Sequence, residues 1–226
     1  MASRSPIEPG LHLGDGVAWL ESLPDDYLDG IFTDPPWGSG PDIKGQEVWL
    51  DLLERMVRAA ERVVRPQGHI MLWYGMAKID SVLRVVLGAT RLHLNVILTV
   101  EYCGNTRFFA RYSPVDFVLV FGRHRNTPPY GRPYCGTVYR SVTRANSPDA
   151  QMAMKHSCAR NVVTVGHILR DWFAPGMRIA DPFAGTDTTG YQARRLGLEC
   201  WSWEIDPEKY QLALERHKQL DLFVDK

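Results

Sequence analysis

The stretch Ile31-Phe32-Thr33-Asp34-Pro35-Pro36-Trp37-Gly38 leaves this chain few ways to fold. A short apolar run reads as a buried strand, and two consecutive prolines cannot continue a strand ladder because they have no N–H to contribute. The strand therefore stops at Asp34 and delivers a carboxylate, a carbonyl and an indole to the loop beyond it. Asp34 and the Pro35 carbonyl form an acceptor pair for both protons of an exocyclic amine, and Trp37 offers a flat face beside them. Such a set suits chemistry on a base taken out of the helix. An Asp-Pro-Pro turn next to a core tryptophan would use the same residues, and the four alone do not separate the two readings.

The rest of the chain supplies a frame for that strand. Leu11-His12-Leu13-Gly14-Asp15 reads as a strand and its exit, and Val17 to Leu23 has helical apolar spacing that stops at Pro24. From Gln46 to Arg65, apolar residues at three- and four-residue intervals predict an amphipathic helix, ended by Pro66-Gln67-Gly68. Further strands are expected at His69–Tyr74, Leu94–Glu101, Val115–Phe121, Met177–Ala180 and Leu198–Trp203, with helices at Met76–Leu87, Asn161–Phe173 and Asp206 to about Leu220. Strands and helices alternating in this way predict an α/β fold, a mainly parallel sheet with helices on both faces. The glycine-rich loop from Gly38 to Gly45 reads either as a cover for a bound substrate or as a solvated connector.

At 226 residues the chain has room for one sizeable α/β domain. No apolar run is of membrane-spanning length and the first residues lack a signal-type apolar stretch, so the expectation is a cytoplasmic protein with no membrane association. Four scattered cysteines without a Cys-x-x-Cys indicate neither a disulfide framework nor a zinc site. The formal net charge is zero, yet Gly104 to Arg160 holds nine basic residues against Asp116 and Asp149. Within that basic stretch, residues 123–155 lose the α/β rhythm and read as an irregular insert. There, arginines interleaved with Tyr130, Tyr134 and Tyr139 suit contact with phosphates and bases, although tyrosines tying down a solvated loop would look the same.

A second constellation follows the strand at 177–180. The run Asp181-Pro182-Phe183-Ala184-Gly185-Thr186-Asp187-Thr188-Thr189-Gly190 leads into a helix, and the next strand ends at Glu204, 19 residues after Gly185. A glycine turn that lets backbone approach a ligand, then an acid at a strand tip able to hold both hydroxyls of a ribose, is a nucleotide-site layout.

Together, Asp34-Pro35-Pro36-Trp37 and the later Asp181-Pro182-Phe183-Ala184-Gly185-Thr186 resemble the β-group amino-directed DNA methyltransferases, the N6-adenine/N4-cytosine family with circularly permuted motif order. The resemblance covers nearly the whole chain. It implies one methyltransferase domain over residues 1–226, with a seven-stranded Rossmann-like sheet and S-adenosylmethionine (SAM) as methyl donor. It also implies DNA as partner and the basic insert as a target-recognition region; the shortness of that insert points to a brief target sequence or to help from a homodimer partner or second subunit. For the site the resemblance implies Asp34, Pro35, Pro36 and Trp37 as catalytic. It implies Asp15, His156, Ser157, Asp181, Phe183, Gly185, Thr186, Asp187 and Glu204 around the cofactor. Arg107, Arg111, Tyr130 and Arg132 are the expected substrate contacts. Lys155-His156-Ser157-Cys158-Ala159-Arg160-Asn161 is similar to the family segment His-Pro-x-x-Lys-Pro, with Ser157, Arg160 and Asn161 replacing the usual Pro, Lys and Pro. Asp187 stands where the family commonly has Gly, and either caps the next helix from solvent or acts on the charges of the cofactor.

The resemblance further implies methylation of adenine N6 in DNA by base flipping and direct in-line attack, because Asp at the first motif position favours adenine. The alternatives are cytosine N4 in DNA, adenine in RNA, and a catalytically weak nucleic-acid-binding subunit of the same fold.

Overall fold

The computed structural model describes residues 7–36, 46–75, 78–103, 115–130, 136–142 and 160–224. In chain order the elements are β1 (Gly10–Leu13), α1 (Gly16–Ser22), β2 (Leu28–Thr33), α2 (Gln46–Val63), β3 (Val64–Gly75), α3 (Ile79–Ala89), β4 (His93–Cys103) and β5 (Val115–Gly122). They continue with β6 (Val138–Val142), α4 (Val162–Trp172), β7 (Arg178–Asp181), α5 (Thr188–Arg195), β8 (Glu199–Glu204) and α6 (Pro207–Val224). All eight strands join one sheet in the order β1-β8-β7-β2-β3-β5-β4-β6.

Alternation along the central strands divides the core between two faces. Ile31, Ile70, Leu72, Tyr74, Leu119, Phe121, Ala180 and Trp201 pack with the apolar sides of α1, α2 and α3. Their neighbours Phe32, Met71, Trp73, Val118, Val120, Ile179 and Cys200 pack with α4 and α5. A strand buried on both faces reads as a continuous apolar run, which is why Leu28–Thr33 and Ile70–Tyr74 carry so few polar residues.

The sheet departs from the sequence expectation in two ways. It has eight strands rather than seven, and the additional one, β6, lies inside the region expected to be an irregular insert, pairing in parallel with β4. The sheet is mainly parallel as expected, with β5 alone antiparallel to its neighbours β3 and β4 among the described residues. Pro66-Gln67-Gly68 does not separate helix from strand. β3 begins at Val64, and those residues form a bulge between the Leu28–Val64 and Gly30–His69 partners.

From the β2–β7 pair the chain builds outward in both directions, to β3 on one side and to β8 and β1 on the other. The carboxyl ends of β2 and β7 therefore flank the crevice where an open α/β sheet binds its ligands. Thr33 Oγ1 donates a buried 2.6 Å hydrogen bond to Asp181 Oδ1 across it. Among the described residues, no helix is long and apolar enough to cross a membrane.

Candidate active site

Asp34 follows β2 directly, with Pro35 buried behind it and Pro36 part-exposed. Its carboxylate is held by Arg160: Nε and Nη2 both donate to Oδ2, at 2.8 and 2.7 Å. The same guanidinium reaches Asp116 Oδ2 through Nη1 at 2.8 Å and stacks 4.8 Å from the centre of the Trp73 ring. Asp116 Oδ2 also accepts from Trp73 Nε1 at 2.9 Å and from Tyr102 Oη at 2.6 Å. Burial opposes the charge on Arg160, but Asp34, Tyr102 and Asp116 outweigh it and hold the guanidinium above its ordinary pKa. Burial pushes the Tyr102 hydroxyl up, against the opposing effect of Arg160, so it stays protonated and donates. One cation shared between two acids fixes the carboxylate that closes β2.

Across the crevice, β7 ends at Asp181, whose Oδ1 also accepts from the Phe183 amide at 3.1 Å. Burial raises the Asp181 carboxyl to about 7, although hydrogen bonds from Thr33 and Thr189 work against that rise. The turn beyond it is pinned to β8, with Ala184 N–H donating to the Trp203 carbonyl and Gly185 N–H to Glu204 Oε2 at 2.7 Å. Gly185 has φ +56°, a conformation that glycine adopts without penalty. Asp15 caps α1 by accepting from Val17 and Ala18 N–H, and a Cβ on Gly16 would run into the backbone of Pro182, so the β1–α1 turn lies directly on the second constellation.

Asp187 does cap α5, accepting from Gly190 N–H at 3.0 Å, but it is buried rather than solvated. Its φ of +52° puts an acid in the left-handed region, and His217 Nε2 approaches Oδ2 at 3.3 Å from α6. Next to His217, Arg216 is also buried and donates to Thr186 Oγ1 at 2.8 Å. Neither Arg216 nor His217 stood out in the sequence, and a helical position has no pattern that marks a cation facing inward. Arg160 did stand out, as a replacement in a known segment, but its acid partner lies 126 positions away.

The structure therefore gathers Asp34, Pro35 and Pro36 on one side of the crevice and Asp15, Asp181, Phe183, Gly185, Thr186, Asp187 and Glu204 on the other. Tyr130 lies elsewhere. Its hydroxyl donates to the Gln67 carbonyl at 2.8 Å and its amide to Trp172, at the end of the sheet opposite Asp34. Trp37, the 38–45 loop, Arg107, Arg111, Arg132, Tyr134, His156 and Ser157 lie outside the described residues.

A doubly wound sheet with a strand-end acid facing a glycine turn and a second strand-end acid is the architecture of a Rossmann-like methyltransferase. The N6_N4_Mtase family model, described as DNA methylase, matches residues 28–215, and the chain belongs to that family. It is 23% identical over 233 residues to the type II methyltransferase M.HpaI of Haemophilus parainfluenzae, covering 93% of this chain and 74% of that protein. It is 23% identical over 247 residues to the DNA adenine methyltransferase YhdJ of Escherichia coli K12, covering 90% and 80%. The cytosine-N4-specific PvuII DNA methyltransferase shares the fold at a TM-score of 0.76 and 16% identity, over 93% of this chain and 86% of that one. The SAM complex of M1.HpyAVI matches at a TM-score of 0.68 and 18% identity, over 91% and 97%.

SAM is the methyl donor, and the second constellation fits it. Each Glu204 oxygen accepts one backbone N–H, from Gly185 or Asp206, and a carboxylate has about four acceptor positions, so two hydroxyls can still be bound.

Proposed function

We propose that this chain methylates the N6 amino group of adenine in DNA, with the base turned out of the helix. The observation that supports this reading is that Asp34 follows the end of β2, which Thr33 ties to Asp181 at the end of β7, the strand that leads into the Gly185 turn. SAM supplies an electrophilic methyl group on a sulfonium. The lone pair of an exocyclic amine is delocalised into its ring, so the protein has to free it. Asp34 and the Pro35 carbonyl accept the two amine protons, which favours a pyramidal nitrogen with its lone pair directed at the methyl group. The N–C bond would form as the C–S bond breaks, the neutral thioether would depart as S-adenosylhomocysteine, and the Asp34 carboxylate would favour the positive charge on nitrogen until one amine proton passes to water. Glu204 holds the ribose, and Trp37 stacks on the base and sets distance and angle.

Asp at the first motif position and the likeness to a protein named as a DNA adenine methyltransferase support adenine. Cytosine N4 is the second reading, because it presents the same two protons and the PvuII enzyme of that specificity shares the fold. Mass spectrometry of nucleosides from unmethylated DNA incubated with the protein and isotopically labelled SAM tests both. Labelled N6-methyladenine is expected. Labelled N4-methylcytosine would replace the first reading with the second, and no labelled base would overturn both.

A further inference from the structure

The two halves of the site are joined by one more residue, which comes from α6. Arg216 is only 1% exposed, and its planar fork divides its bonds between two segments. Nη1 donates to Thr186 Oγ1 at 2.8 Å, in the turn that follows Gly185, and to Thr188 Oγ1, the first residue of α5. Nη2 donates to the backbone carbonyl of Arg160 at 2.9 Å. Thr188 Oγ1 donates to that same carbonyl at 3.3 Å, so the turn grips the backbone at residue 160 directly as well as through Arg216. The side chain of Arg160 then holds Asp34.

Neither end of this path can absorb a displacement locally. Asn161, immediately after the gripped carbonyl, is the N-cap of α4 and accepts from Thr164 N–H at 3.0 Å, which fixes the backbone on its other side. The Arg160 guanidinium is confined by the Trp73 face and by Asp116. A guanidinium can serve two segments at once because its donors lie in a rigid plane pointing in different directions, whereas an ammonium is a compact point charge.

We propose that Arg216 is a positioning residue that transmits the state of the Gly185–Thr188 turn to Asp34, through the backbone and guanidinium of Arg160. SAM on the turn thereby sets the direction of the carboxylate that receives the target amine. This rests on the methyltransferase reading above and adds that cofactor binding and amine positioning are coupled through two arginines.

The test follows the Arg160 side chain directly. In 15N-labelled protein, the Arg160 Nε–H resonance is identified by its loss in Arg160→Lys, and SAM is then titrated in. The resonance is expected to shift in the wild type. In Arg216→Lys it is expected to stay in place although calorimetry shows SAM bound. Thr188→Val removes the direct contact with the Arg160 carbonyl and one of the two hydroxyls that Arg216 grips, so it should reduce the shift with SAM still bound, and it serves as the test if Arg216→Lys fails to fold. Single-turnover methyl transfer at saturating SAM and DNA should fall by roughly tenfold to a hundredfold in Arg216→Lys. Combining it with Arg160→Lys should cost little beyond the worse single change. An Arg160 resonance that does not respond to SAM in the wild type, or that responds equally in the variants, would overturn the relay, as would multiplicative losses in the double variant. If wild-type protein methylates no base while the resonance behaves as described, the activity reading fails and the relay stands.

Discussion

Thr33 and Asp181 lie 148 positions apart in the chain and share a buried hydrogen bond of 2.6 Å. It ties the strand that ends in Asp34 to the strand that leads into the Gly185 turn, beside the backbone pairing of Gly30 and Ile31 with Ile179 and Ala180. Thr33→Val keeps the shape of the side chain and removes the donor. The loss of a hydrogen bond to a buried acid should cost about 1–3 kcal/mol in urea denaturation. It should also weaken SAM binding measured by calorimetry, because Asp181 starts the turn.

Asp34→Asn should lower single-turnover methyl transfer by about a hundredfold or more, because an amide presents donors where the amine needs acceptors. Arg160 keeps Asp116, Tyr102 and the Trp73 face in this variant, so the chain should remain folded. Calorimetry should return the wild-type SAM affinity. A variant as active as wild type would remove Asp34 from the chemistry.

Two buried groups should mask each other in the pH dependence of stability. Burial raises Asp181 to about 7, so from about pH 4 to 7 the folded chain keeps a proton that the unfolded chain has released, and stability falls as pH rises. Burial lowers His69 to about 4, only partly countered by its hydrogen bond to Pro128, so from about pH 4 to 6.5 the unfolded chain carries the extra proton and stability rises with pH. Asp181→Asn should add a rising slope to the wild-type stability profile, and His69→Gln a falling one. Urea denaturation at intervals between pH 4 and 7, read as variant minus wild type, checks both signs.

Asp187→Ala should destabilise the chain by about 2 kcal/mol or more, since it removes a helix cap and leaves a Cβ residue at positive φ without side-chain support. Asp187→Asn keeps the cap and tolerates that φ, so it should recover most of the loss in thermal unfolding. Equal losses in the two variants would assign the effect to the charge facing His217 instead.

Where the periodicity was plain, the sequence and the structure agree. β2, the turn after β7 and the helices at 46–63 and 162–172 are all legible because each exposes one chemical face or none. β6 was not legible because its pattern runs backwards. Tyr139 and Ser141 face the core while Val138 and Val142 are 53% and 56% exposed, so five residues read as loop. The pairing of Arg160 with Asp34 and the inward turn of Arg216 were hidden for another reason. Both depend on contacts between elements distant in sequence, and nothing local records them.

β1 pairs with β8, and α6 packs back onto β1 as well as β8, so the first and last elements of the chain are neighbours in space. The fold is in effect a closed ring of contacts that the linear chain opens at one place. A gene re-cut between β6 and α4, with its old ends joined, would write the cofactor half first and the catalytic half second. The sheet order β8-β7-β2-β3, and with it the crevice, would be unchanged. Sheet order, not the order in which the halves are translated, is what sets the crevice.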